Sequence, residues 1–135
     1  MPYSEKVLAH VQNPHNVGGL DKSDPSVGTG GVGTPESGLM VKIQIKADPT
    51  TRRIVAARFK VFGCSAAIAC GSLLTDRVQD RALDQARQIQ SAQIAAELEL
   101  SADRFYCAEQ AIQALQAALR DWEEKQTHQA CSATG

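Results

Sequence analysis

LMVKIQIKADPTTRRIVAARFKVFGCSAAIACGSLLTDRVQ, residues 39–79, carries the pattern that decides the fold. Its first eight residues alternate, with Leu39, Val41, Ile43 and Ile45 pointing one way and Met40, Lys42, Gln44 and Lys46 the other. A period of two marks a strand with one buried and one wet face. Asp48-Pro49-Thr50 supplies a turn, and then Val55, Ala57, Phe59 and Val61 alternate against Ala56, Arg58, Lys60 and Phe62. The two runs predict an antiparallel hairpin. Past Gly63 the period changes. Ala67, Cys70, Leu74 and Val78 recur at helical spacing, predicting a helix over residues 65–79.

Working outward toward the N-terminus, all five prolines lie at or before Pro49 and seven of the ten glycines at or before Gly38, so the first third is turn-rich. Ser4 can cap a short helix over residues 5–11 that Asn13-Pro14 stops. From Gly18 to Gly38 the chain predicts a loop or a loose edge strand outside the core. It is not a phosphate loop, because no Gly-Lys-Ser/Thr follows the glycines.

Toward the C-terminus, a short helix fits residues 83–88, and Ser91 can cap another over 94–98. A long helix is predicted over 103–124, with Ala108, Ala111, Ile112, Leu115, Leu119 and Trp122 as its buried stripe. Residues 125–135 are polar and predict a flexible, disordered tail. Strands followed by helices, without βαβ alternation, predict an α+β fold: one domain over residues 1–124, a small antiparallel sheet with helices packed on one face.

Composition excludes several classes of function. A formal net charge of -1 with mixed signs argues against nucleic acid, which calls for a basic surplus or stripe. The apolar runs are far shorter than the ~20 residues that span a bilayer, and no basic-then-apolar leader opens the chain. A soluble, cytoplasmic protein that does not engage membranes is the expectation. Four cysteines, at positions 64, 70, 107 and 131, are too few and too irregularly spaced for a disulfide scaffold, which leaves their thiols free for reactive or metal chemistry.

Those cysteines are the candidate chemistry. Cys64 stands where a strand ends and a helix begins, near unpaired N–H groups and the positive helix end, a setting that lowers a thiol pKa. An inert thiol at a crowded turn fits the same spacing equally well. Cys107 lies beside the stripe of the last helix, where partial exposure is expected, although a half-buried filler suits it as well. Cys70 falls on an apolar face and reads as core. His128 and Cys131 have a ligand-like spacing within the tail. His10 and His15 flank Asn13-Pro14 without a partner in sequence reach, and read as surface or capping groups. No Ser/His/Asp set or paired-carboxylate motif stands out, so an enzyme is not expected.

Tyr3-Ser-Glu-Lys-Val7, Asn13-Pro-His-Asn-Val-Gly18, Val32-Gly-Thr-Pro35 and above all Ala57-Arg-Phe-Lys-Val-Phe-Gly-Cys64-Ser-Ala-Ala-Ile-Ala69 resemble the IscU/NifU-type iron–sulfur cluster assembly scaffolds. Gln93-Ile-Ala-Ala-Glu-Leu98 and the helix after Cys107 are similar too, so the resemblance spans residues 1–122. It implies a scaffold that binds a cysteine desulfurase, accepts persulfide sulfur and iron, builds a [2Fe–2S] cluster and passes it on with the help of a dedicated heat-shock chaperone. The implied metals are iron or zinc. Thiolates hold such metals well, and a carboxylate or an imidazole can complete the site.

The chain departs from that family at three of five ligand positions. The family's Cys-Gly-Asp loop aligns with Ser37-Gly38-Leu39 and its His-Cys pair with Tyr106-Cys107, leaving Cys64 and Cys107. Hydroxyl and phenol groups are poor iron ligands near neutral pH, and two thiolates cannot close a four-ligand site on one monomer. Self-association, or His128 and Cys131, would have to supply the rest. The family's Leu-Pro-Pro-Val-Lys chaperone segment reads Leu100-Ser-Ala-Asp-Arg104, without either proline. After Cys107 the chain aligns three residues short, which would turn Cys107 by about 60° and shift it about 4.5 Å relative to the buried stripe.

By the same resemblance Cys107 and Cys64 are the sulfur-accepting and metal-binding thiols, and Tyr3 matches an N-terminal tyrosine linked to persulfide reduction. Three functions are compatible with this residue set. One is a scaffold-type protein handling sulfur or iron with a desulfurase. The second is a paralogue that binds and regulates the desulfurase, and the third a persulfide carrier using Cys107.

Overall fold

The computed structural model describes residues 4–34, 36 and 38–134, with side chains through residue 127. The order is α1 (Glu5–Gln12), β1 (Val27–Thr34), β2 (Leu39–Ala47), β3 (Ile54–Phe62), α2 (Ser65–Val78), α3 (Leu83–Arg87), α4 (Ser91–Leu98) and α5 (Phe105–Thr134). The fold is α+β. The three strands form an antiparallel sheet in the order β1-β2-β3. Val41, Ile43, Ile45, Ala57 and Phe59 are buried on the face that meets α2 and α5.

The hairpin follows its alternation except at two places. Ile54 is fully buried while Val55 is 54% exposed, the reverse of the expected phase. The pairing slips between Lys46 and Ala47, which turns the start of β3 over. Gln44 is also buried, although its position marks the wet face. The segment before β1 folds over it. Gln44 Oε1 accepts from Leu20 N–H at 2.8 Å, and its Nε2 donates to Leu20 O and Thr29 Oγ1.

Within the glycine-rich stretch, Val27–Thr34 is the edge strand of the sheet, one of the two expected forms, but it is packed under α5 and not left outside the core. A Cβ on Gly28 would lie 2.2 Å from Ala118 O, and one on Gly30 would lie 2.3 Å from Ala114 O. The glycines let α5 rest directly on the β1 backbone. The same helix guards the sheet edge: Asp121 Oδ2 accepts from Thr29 N–H, and Lys125 Nζ donates to Val27 O at 2.6 Å and Lys22 O at 2.8 Å. At the opposite edge, residues 16–18 bond to both backbone groups of Phe59.

Helix α5 continues to Thr134, ten residues past the expected end at Glu124. No glycine or proline interrupts residues 125–134, and the Lys125 clamp holds the extension against β1. Helix α4 begins at Ser91 rather than being capped by it. Gln93 Oε1 bonds back to Gln90 N–H and closes that end. At α1, Ser4 caps as expected, accepting from Val7 N–H at 3.2 Å and donating to Leu98 O at 2.6 Å. No helix among the described residues is long and apolar enough to cross a membrane.

Candidate functional site: a cysteine pair at one end of the sheet

Four chain segments meet where β3 passes into α2. Gly63 takes φ +151°, a value that favours glycine, and turns the chain off the sheet. Cys64 follows as the N-cap residue of α2, and its carbonyl accepts from Ala67 and Ile68 N–H. Leu39 opens β2 beside this turn. A Cβ on Gly63 would lie 2.6 Å from Leu39 Cδ1, so the leucine covers the turn with hydrocarbon. The first turn of α5 brings in Tyr106 and Cys107 from the other side.

Cys64 Sγ and Cys107 Sγ lie 3.6 Å apart, across 43 positions of sequence. Cys64 is partly exposed and Cys107 is fully buried. The expected partial exposure of Cys107 is therefore corrected. Its side chain belongs to the inner row with Ala108, Ala111, Ala114 and Leu115, because α5 is pressed against β1 and β2 along that row. The three-residue shortening still leaves Cys107 in contact with Cys64.

The two thiols differ in their hold on a proton. Burial pushes the Cys64 thiol up, but the Ala67 amide, the Cys107 thiol, the Ala66 amide and the Arg104 charge together outweigh it and bring it below the ordinary value of 9.0. The neutral Cys64 side chain makes no capping hydrogen bond, so those amides favour the charged form. Burial pushes the Cys107 thiol up to about 12, helped by its hydrogen bond to Cys64 and by repulsion from the Cys64 charge. Of the two, Cys64 is the thiol that gives up its proton more readily, and Cys107 the one that keeps it. The charge of Cys107 and a hydrogen bond to it raise Tyr106, which is 44% exposed. Arg104, which spacing did not single out, is the cation facing the pair.

Cys70 is fully buried, and burial raises its pKa, in line with its reading as core. Tyr3 and Ser37 lie outside the described residues, as do the side chains of His128 and Cys131. His10 and His15 do have partners. His10 Nδ1 lies 2.6 Å from Ser72 Oγ, His15 N–H donates to the same oxygen at 2.8 Å, and His15 Nδ1 pairs with Asp76. Asn16 Nδ2 adds a bond to Asp76 Oδ1 at 2.9 Å. These contacts lash the turn after α1 to α2. Their partners lie about sixty positions away, so no local signal could reveal them.

The [2Fe–2S] cluster that the resemblance implies takes four protein donors. Among the described residues no group of three or more His, Cys, Asp and Glu side chains converges to hold a metal. Two thiols, with Leu39 at the neighbouring turn and a Tyr106 phenol, do not make a complete cluster site on one chain.

The profile described as NifU-like N terminal domain matches residues 2–129. The chain is 47% identical over 126 residues to the iron-sulfur cluster assembly scaffold protein IscU of Haemophilus influenzae, covering 93% of this chain and 99% of that protein. It is 46% identical over 124 residues to a Drosophila melanogaster relative named iron-sulfur cluster assembly enzyme IscU, covering 92% of this chain and 80% of that one. The crystal structure of a nitrogen-fixing NifU-like protein (N-terminal) from Brucella abortus shares the fold at a TM-score of 0.64 and 19% identity, over 90% of this chain and 94% of that chain. With an α+β body whose sheet end holds paired cysteines, and with these relatives over nearly its whole length, the chain belongs to the IscU/NifU-type iron–sulfur cluster assembly family.

Proposed function

We infer that this protein works in iron–sulfur cluster assembly as a scaffold-type member that handles sulfur and iron with a cysteine desulfurase, using Cys64 and Cys107. The observation that carries this reading is the 3.6 Å approach of two thiols at the Gly63 turn, one partly exposed and one sheltered. Thiolates are the donors that both sulfur transfer and iron require. The incomplete donor set gives the reading a definite form. One copy handles sulfur on its own, and a closed cluster site draws donors from a second copy, two thiolates from each. Tyr3, by its place in the family motif, belongs to the persulfide-handling end. The dedicated chaperone is not among the proposed partners, because residues 100–104 lack both prolines.

Anaerobic incubation with a cysteine desulfurase, cysteine and iron tests this directly. Sulfur uptake by intact mass, with a visible chromophore and bound iron on a species of twice the mass, is the expected result. A colourless, iron-free product at every protein concentration would remove cluster building from the reading. Loss of sulfur uptake as well would remove the desulfurase partnership.

A further inference from the structure

We propose that Cys64 and Cys107 act in sequence, Cys64 taking up sulfur as a persulfide and Cys107 resolving that persulfide by closing a Cys64–Cys107 disulfide and releasing hydrosulfide. The inference rests on the reading that this site receives sulfur, and adds a division of labour and a product.

Access divides the roles. Cys64 is the thiol of the pair that solvent reaches, standing at the head of α2, while Cys107 is sealed under α5. A sulfur donor therefore meets Cys64 first. Once Cys64 carries an outer sulfur, its own Sγ becomes the inner atom of an S–S bond, and Cys107 Sγ already lies 3.6 Å from that atom. A disulfide needs about 2.0 Å, a distance that rotation about the two side-chain bonds can close from van der Waals contact. Thiols in solution reach the outer sulfur, whereas Cys107 is placed against the inner one.

The step balances without any further reagent. Cys107 sulfur gives up its proton to solvent and attacks Cys64 Sγ, the Cys64 Sγ–outer sulfur bond breaks, and its electron pair leaves with the outer sulfur as hydrosulfide, which keeps the persulfide's own proton. The outer sulfur is reduced by two electrons, and the two cysteine sulfurs are oxidised to the disulfide. A small-molecule or protein dithiol then resets the pair by attacking the exposed Cys64 sulfur, with Cys107 as the leaving thiol. Hydrosulfide is the oxidation state in which sulfur enters a cluster, so a protein lacking the other family ligands retains a way to deliver it.

The test uses the full chain, reduced, freed of reductant under anaerobic conditions, and loaded briefly with inorganic tetrasulfide before desalting. Intact mass should show a gain of one sulfur, followed by its loss together with two hydrogens, with an equal amount of hydrosulfide released. Peptide mapping should place the new linkage between Cys64 and Cys107. Cys107→Ser, and Cys107→Ala as a second variant against misfolding, should hold the added sulfur on Cys64, and Cys64→Ser should abolish the disulfide. Wild-type protein that keeps its added sulfur as long as Cys107→Ala, that carries it onto Cys107 without a disulfide, or that takes up none overturns the proposal. Repeating the loading with a desulfurase and cysteine separates the two readings. Failure there alone removes the desulfurase partnership and leaves resolution standing.

Discussion

At Cys64 and Cys107 one shared hydrogen bond acts in opposite directions on two identical side chains. The thiol that faces the helix amides of α2 and the Arg104 charge is brought down, and the sheltered one is pushed up to about 12. Iodoacetamide should therefore modify Cys64 first in the metal-free protein, with a rate midpoint below the ordinary thiol value of 9.0. Cys107→Ala removes the donor to the Cys64 thiolate and should move that midpoint upward, as should Arg104→Gln. An unmoved midpoint in both variants would mean that neither group supports the thiolate. The Cys107 shift also sets a pH limit on folding. Below about 9 the thiol is protonated in both folded and unfolded chains and contributes no difference. Between about 9 and about 12 only the unfolded chain releases the proton, so stability falls as pH rises through that window. Urea midpoints of the reduced protein should decline over this range, and less steeply in Cys107→Ala.

At the scale of elements, β1 and α5 form the joint on which the sheet depends. Gly30→Ala would drive a methyl group into the backbone at Ala114 and Ala118. We expect a loss of about 3 kcal/mol by urea unfolding. Gly31→Ala is the control, because its Cβ would meet nothing closer than Val41 O at 3.4 Å, an ordinary contact. Equal losses at the two positions would show that the helix does not rest on the strand. Ser4→Ala, which removes the α1 cap and the bond to Leu98 O, should cost about 1 kcal/mol.

These elements also mark how far local pattern carries. The β2 alternation and the helical spacing after Gly63 were legible because each residue's face follows from its neighbours two or four places away. The packing of β1 into the core was not, since glycine has no side chain to show a period, and its reason lies in Ala114 and Ala118. Val55 misled for a related reason. The register slip that turns it outward belongs to the pairing with β2 and leaves no mark on β3 itself.

For the molecule as a whole, Cys64 and Cys107 tie the head of α2 to the head of α5, the two long helices that cover the sheet. Joining them covalently would close a loop of about 43 positions and restrict the unfolded chain, a stabilisation of about 4 kcal/mol. Thermal unfolding of the oxidised protein should shift upward, and a dithiol reductant should reverse the shift. An unchanged midpoint would mean that the linkage strains the native packing by as much as it restricts the unfolded state. The site was legible at this scale in part. Family motifs point to Cys64 and Cys107, but the burial of Cys107, the hydrocarbon lid of Leu39 and the His15–Asp76 tie are products of tertiary packing.

The covering of β1 by α5 bears on how the protein is made. Thr29 and its partner Asp121 are separated by 92 positions, so the ribosome must add that many residues before the strand's cover exists. At about 5 to 20 residues per second, the nascent strand waits roughly 5 to 20 s for that helix. A bare, flat, side-chain-poor edge is then open to pairing with other chains. Arrest or truncation of translation ahead of α5 should thus release a product that aggregates, while synthesis through α5 closes the edge.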